Sequence, residues 1–235
     1  MAQFETLTSE NVDANVALVT LNRPASANAL NTQMGKDLLE LFRGILMDPG
    51  DLRCVVLTGT GVKAFCAGGD LRERNNMSDA EWQRQHVIFE QAFYTLMDCP
   101  IPVIAAVNGA AYGGGTEIAL ACDFIHAAET AHFALTETKL GIIPGGGGTQ
   151  NLPRAVGLRR AKELIYSTTP FSAVEALEWG MVNRVWPQEQ LIPEVLALAR
   201  RIAANGPIAV RQAKHAMTVG VETELKTGLR RCAGV

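Results

Sequence analysis

The sequence predicts an α/β fold: one compact domain in which strands alternate with helices over the first two thirds, while helices alone fill the last third. Three observations lead there. Short apolar runs rich in Val and Ile, bounded by Gly, Pro or Asn, recur along the first 150 residues with amphipathic helical patterns between them. Beyond Gly148 the pattern changes to helical segments separated by Gly and Pro. No linker rich in Pro, Ser or charge divides the two parts and no repeat of fixed period is visible, so a single core is the economical reading. With 235 residues, 48% of them apolar, the chain has the material to bury that core.

The elements follow in order. NVALVTLNRP, residues 15–24, alternates apolar positions and ends at Pro24, a strand followed by a turn. LNTQMGKDLLELFRGIL carries Met34, Leu38, Leu41, Phe42 and Ile45 at helical spacing, with Asn31 placed to cap the helix. RCVVLTG, residues 53–59, is a second strand and IPVIAAVNG, residues 101–109, a third; between them Ser78 caps the long helix DAEWQRQHVIFEQAFYTLM. YGGGTEIALACDF, residues 112–124, starts a further helix directly behind three glycines, and CDFIHAAE reads as another short strand. Residues 154–166, 172–179, 187–205 and 207–218 are all helical in pattern.

Composition removes several functions. There are 24 acidic against 21 basic residues, a net charge of −3, and no window concentrates Lys and Arg into the basic face that nucleic acid requires. The five cysteines (Cys54, Cys66, Cys99, Cys122, Cys232) are odd in number, form no CxxC and sit mostly in apolar segments, so reduced thiols are expected. The start, MAQFETLTSE, has the features of neither a secretory signal nor a transit peptide, and no apolar run approaches the roughly 18 residues of a membrane span. A soluble, cytoplasmic protein is the expectation.

Most familiar motifs fail on inspection. GTGVKAFCAGGD places Gly59, Gly61 and Ala64 at dinucleotide-fingerprint spacing, but Gly68, Gly69 and the charged turn DLRER follow where an amphipathic helix should begin. Neither glycine cluster contains the Gly-Lys-Ser/Thr of a phosphate-binding loop. His86, His126, His132 and His215 lack metal-ligand spacing with each other or with cysteine, so no metal site is expected, and no GxSxG elbow supports a serine hydrolase.

Two glycine clusters and two glutamates remain. AGGD (residues 67–70) and GGG (residues 113–115) each come shortly after a strand. Either could be a plain tight turn, yet the second opens a helix, whose unpaired N–H groups and positive end can receive an anion. Glu117 lies inside that apolar helix with no cation in the neighbouring sequence. A carboxylate taken out of water costs several kcal/mol unless it is held or its pKa rises. It therefore either faces solvent or is used. Glu137, in HFALTETKLGIIPGGGG, taken alone reads as a solvated loop residue; with Glu117 it suggests a pair.

NRPASANALN, AFCAGGDLRE, AAVNGAAYGGGTEIALACD, ETKLGIIPGGGGTQNLPR and ALEWGMVNRV, in this order and spacing, resemble the enoyl-CoA hydratase/isomerase (crotonase) superfamily over nearly the whole chain. The resemblance implies a crotonase-like spiral of β-β-α turns, here residues 1–150 with the coenzyme A and active sites. A helical C-terminal trimerisation region, residues 151–235, follows and makes a homotrimer or a dimer of trimers. The family binds acyl-CoA thioesters with no separate cofactor, coenzyme A being part of the substrate, and holds the thioester carbonyl on two backbone N–H groups. The matching positions are Gly69 and Gly114, with Ala27, Ala67, Asp70 and Leu71 along the coenzyme A.

Hydratases of the family keep two glutamates at the positions of Glu117 and Glu137, whereas simple isomerases lack the first, so hydration of a trans-2-enoyl-CoA to a 3-hydroxyacyl-CoA is the implied reaction. Isomerisation or another crotonase reaction, or a weakly catalytic acyl-CoA binding protein, are the alternatives. ETKLGIIPGGGGTQNLPR with FCAGGDLRER is similar in finer detail to the methylglutaconyl-CoA hydratase branch. Some of that branch bind RNA, which the acidic balance argues against. Family chains continue past the stretch matching TELKTGLRR, while this sequence ends at CAGV; a shortened C-terminal region and a less covered acyl pocket are expected, with residues 75–91 shaping the acyl end.

Overall fold

Each repeat of strand, turn, strand and helix gives one strand to each of two sheets. The computed structural model describes residues 4–232; residues 1–3 and 233–235, on which the expectations about the chain's start and early end fall, lie outside them, as do the side chains of Arg231 and Cys232. The chain begins with the antiparallel pair β1 (Leu7–Asp13) and β2 (Val16–Leu21), then α1 (Thr32–Met47). Three turns of one pattern follow. The first is β3 (Cys54–Gly59), β4 (Ala64–Cys66), the single-turn α2 (Leu71–Arg74) and the long α3 (Asp79–Met97). The second is β5 (Val103–Val107), β6 (Ala110–Tyr112) and α4 (Gly114–Ala121). The third is β7 (Phe124–Ala128), β8 (His132–Ala134) and α5 (Gly148–Val156). The chain continues through α6 (Leu158–Ser167), β9 (Phe171–Ser172), α7 (Ala173–Glu178), β10 (Arg184–Trp186), α8 (Leu191–Ala203), α9 (Pro207–Gly220) and α10 (Leu225–Cys232).

The first strand of each turn joins a large sheet of order β1-β2-β3-β5-β7-β10, and the second joins a small sheet of order β4-β6-β8-β9. Apart from β1 in the large sheet and β9 in the small one, neighbours are parallel. This is the spiral of β-β-α turns that the resemblance implied.

Both faces of the large sheet are covered, which is why its central strands read as continuous apolar runs. Val55 and Leu57 of β3 and Val103 and Ala105 of β5 point into the main core beneath α1, α3 and α4. Their alternates Cys54, Val56, Ile104 and Ala106 pack on the other face against Leu191, Val195 and Ala199 of α8. The predicted caps are present: the Asn31 side chain accepts from the Met34 N–H, and Ser78 forms a full capping box with Glu81.

Three differences from the sequence reading stand out. Periodicity does not reveal β1, whose LTSENVD is mostly polar, nor the three-residue strands β4, β6 and β8, because three residues show no alternation. The helix expected over residues 154–166 is two helices, α5 and α6, divided at Gly157, whose φ of +81° no helix accommodates. Two short strands, β9 and β10, lie in the part expected to be purely helical, and β10 closes the edge of the large sheet.

Candidate active site

The site begins with the loop after β4. Residues 67–70 run beside residues 27–30 as a brief parallel pair, with the Leu30 N–H donating to the Gly68 carbonyl at 2.8 Å and the Asp70 N–H to the Leu30 carbonyl at 3.0 Å. Leu30 thus uses both of its groups, while the N–H of its partner Gly69 turns away from the pair. A Cβ on Gly69 would meet nothing within 4 Å, so the space before it is open, and a Cβ on Gly114 would lie 4.0 Å from the Gly69 nitrogen. Gly68 has φ +91°, and a Cβ there would fall 2.6 Å from the Tyr112 carbonyl oxygen. The two glycine clusters are therefore in contact, and only glycine permits so close an approach.

α4 is pressed onto β4: a Cβ on Gly115 would lie 2.0 Å from the Cys66 carbonyl oxygen. The Thr116 hydroxyl, donating towards the Ala111 and Ala134 carbonyls, ties the helix to β6 and β8. Gly114 is the first residue of α4, where N–H groups have no acceptor within the helix. Among the described residues neither the Gly69 nor the Gly114 N–H has a backbone acceptor. Two free amides side by side can hold a carbonyl oxygen that is acquiring charge.

Glu117 stands one turn into α4 and is only 4% exposed. Its Oε1 accepts from the Gly146 and Gly148 N–H groups, each at 2.8 Å, across the glycine-rich turn before α5. Its Oε2 has no hydrogen-bond partner among the described residues. Burial pushes the Glu117 carboxyl up to about 7; the Gly148 and Gly146 N–H groups counter this in part, and the charge of Glu137 adds to it. Both carboxyls line the same cleft, which brings the charge of Glu137 to bear on Glu117.

Glu137 follows β8 and begins a short 3-10 helix, Glu137–Leu140. It is 9% exposed, its Oε2 is buried without a hydrogen-bond partner among the described residues, and burial raises its pKa, partly offset by nearby main-chain N–H groups. A Cβ on Gly113 would sit 2.9 Å from its Oε1, so this carboxyl rests on the start of α4.

Gly69, Gly114, Glu117 and Glu137 line one cleft of about 750 Å³, whose far wall is built from α3 by Trp82, His86, Phe89 and Phe93. The segment expected to shape the acyl end thus contributes to the wall. Ala27, Ala67 and Leu71 are exposed and outside the cleft lining, the Ala67 N–H donating to the Ala27 carbonyl at 3.1 Å. The Asp70 carboxylate accepts from the Arg72 and Glu73 N–H groups and pairs with Arg23 at 2.9 Å. His126 is buried, accepts from the Trp186 indole N–H at 3.2 Å, and is pushed down to about 4 by burial and by Arg184. Sequence reasoning missed the role of Gly146 and Gly148. Their only trace was the run PGGGG, noted as a turn but not as a donor pair.

The comparisons with known proteins agree with this geometry. The model of the family described as enoyl-CoA hydratase/isomerase matches residues 11–233. The chain is 49% identical over 215 residues to YngF of Bacillus subtilis, whose name marks it as a candidate enoyl-CoA hydratase/isomerase, covering 92% of this chain and 82% of that protein. It is 40% identical over 217 residues to the short-chain-enoyl-CoA hydratase of Clostridium acetobutylicum, covering 92% and 83% respectively. A crystal structure of an enoyl-CoA hydratase from Bacillus anthracis superposes with a TM-score of 0.95 at 44% identity, covering 98% of this chain and 89% of that one. With two glycine loops and two buried glutamates converging on one cleft of this fold, the chain belongs to the enoyl-CoA hydratase/isomerase family.

Proposed function

We propose that the protein hydrates a trans-2-enoyl-CoA to the 3-hydroxyacyl-CoA, with Glu117 and Glu137 as its catalytic residues and the Gly69 and Gly114 N–H groups as its oxyanion hole. One observation carries this reading: two buried carboxyls from different elements open on the same cleft, and each keeps an oxygen without a partner among the described residues. Oε2 of Glu117 takes a proton from water as the water oxygen bonds to C3. The C2=C3 electron pair moves towards the thioester, whose oxygen gathers charge between the two amides. Glu137 then delivers a proton to C2, and proton exchange between the carboxyls and solvent restores the starting state.

The electrostatics fit a pair holding one negative charge. Burial raises both carboxyls, Glu117 to about 7 with the two N–H groups on Oε1 countering part of the rise, so the pair can share a proton near neutral pH. Positioned proton transfer of this kind contributes about 10² to 10⁴ in rate. Binding of the coenzyme A portion, in which Ala27, Ala67, Asp70 and Leu71 take part through their backbone, supplies affinity remote from the reacting atoms. In the same reading the chain works as a homotrimer or a dimer of trimers. α9 supports this, since it buries none of its own residues and exposes Ile208 and Met217.

Glu117→Gln tests the chemistry. Hydration of crotonyl-CoA, followed by the loss of enoyl-thioester absorbance, should fall by about 10² or more while acyl-CoA binding survives. Unchanged turnover would remove the base from the mechanism. Wild-type protein that shifts the double bond of a 3-enoyl-CoA without hydrating crotonyl-CoA would point to an isomerase, and binding without turnover to an acyl-CoA binding protein. A screen across short, long and branched enoyl-CoAs, methylglutaconyl-CoA included, fixes the substrate.

A further inference from the structure

We propose that the Arg23–Asp70 ion pair is a positioning device for the Gly69 amide; the inference rests on the reading of that amide as half of the oxyanion hole. Gly69 lies between two of the three backbone hydrogen bonds that pair residues 67–70 with residues 27–30, those made by Leu30. The direction of its N–H is therefore set by how the two segments are held together, and one side chain reaches across both. The Arg23 guanidinium donates through Nη1 to the Ala29 carbonyl and through Nη2 to Asp70 Oδ2 at 2.9 Å. Asp70 Oδ1, in turn, caps α2 through the Arg72 and Glu73 N–H groups. Both oxygens of Asp70 are thus committed, one to each side of the reacting loop.

The segment behind Arg23 is fixed as well. Ala27 and Asn28 have φ of +50° and +55°, a conformation that side chains seldom adopt without support. Here the support is the buried Asn28, whose Oδ1 accepts from the Arg23 N–H and whose Nδ2 donates to the Thr60 and Ala64 carbonyls at 3.1 and 2.9 Å. Arg23 and Asp70 are 20% and 11% exposed, against 51% and 37% for Arg200 and Asp13. Solvent-screened pairs like the latter hold little geometry, whereas a little-exposed guanidinium that donates to two acceptors at once, the Ala29 carbonyl and Asp70, fixes direction.

The experiment uses butyryl-CoA carrying ¹³C at the thioester carbonyl, a saturated ligand that cannot be hydrated. Bound to the wild type, its carbonyl band should move to lower wavenumber as two N–H groups polarise it. In Arg23→Met and Asp70→Asn that displacement should shrink, and kcat for crotonyl-CoA should fall roughly tenfold to a hundredfold, less than deletion of an oxyanion donor costs. Butyryl-CoA affinity is measured alongside, because residues 27 and 67–71 lie along the coenzyme A in the same reading; a weaker affinity with the wild-type band in the bound ligand would make the pair a binding device and overturn the positioning role. Arg23→Lys, which keeps charge but loses the fork, should fall between, and Arg200→Ala, breaking the exposed pair, should leave both readouts alone. A role confined to stability would lower the melting temperature without altering the band of bound ligand. Folded variants with the wild-type band and kcat would overturn the positioning role alone. A wild-type band no different from that of free ligand would overturn the oxyanion reading and this inference with it.

Discussion

Glu117 pays for its position in stability, and the sign of that cost is fixed. A carboxyl whose pKa rises on folding from 4.5 to about 7 binds its proton more tightly in the native state, so stability is greatest below 4.5 and declines as pH climbs through 7. Glu117→Gln should therefore be the more stable protein at pH 8, by up to about 3 kcal/mol at 1.36 kcal/mol per unit, with no advantage at pH 4. Thermal melts at the two values check this; a variant less stable at pH 8 would contradict it. In the proposed mechanism the base Glu117 must be ionised, so kcat/KM for hydration should rise with pH along a limb centred near 7. Gly148→Ala makes a further test at this scale. Its Cβ would lie 3.0 Å from Glu117 Oε1 and 2.9 Å from Pro144 Cβ, so hydration should drop at least about tenfold, at a cost of about 1 to 3 kcal/mol in stability. The oddness of Glu117 could be read from the sequence, because an acid in an apolar helical run asks for an explanation. The partners that hold it could not: Gly146 and Gly148 lie 29 and 31 residues further on, and a backbone donor has no residue-type signature.

Among the elements, those with enough length to show a period were legible. β2, β3, β5, α1 and α3 follow from alternation, apolar runs and caps, each of which is a local property. The small sheet was not, because β4, β6 and β8 have three residues each and exist only by pairing with one another. It came into view through the family likeness alone. The same sheet sets the height of α4 through Gly115, where a Cβ would come within 2.0 Å of the Cys66 carbonyl oxygen. Gly115→Ala must lift α4 off β4, so we expect a loss of roughly 3 kcal/mol, at the upper end of overpacking costs. Chemical denaturation measures it, and a loss under about 1 kcal/mol would mean the helix shifts freely.

On the scale of the whole molecule, α8 and β10 complete the large sheet, so the C-terminal part contributes to the core. α9 is tied to that sheet by Lys214, which donates to Asp123 Oδ2 at 2.8 Å and to the Ile101 carbonyl at 3.0 Å. It still leaves Ile208 and Met217 in water. If α9 meets another subunit, Ile208→Glu with Met217→Glu should convert a species of three or six chains into single chains in sedimentation equilibrium. An unchanged mass would move the interface elsewhere.

The four groups that converge on the cleft come from three successive turns of the spiral: Gly69 from the first, Gly114 and Glu117 from the second, Glu137 with the amides of Gly146 and Gly148 from the third. If these groups are the catalytic centre proposed above, no nascent chain stalled after two turns can have a working centre, however well ordered what has emerged is. On that proposal turnover is a readout of finished assembly, and a proteolytic nick that let the third turn drift should abolish it before the helix content changes.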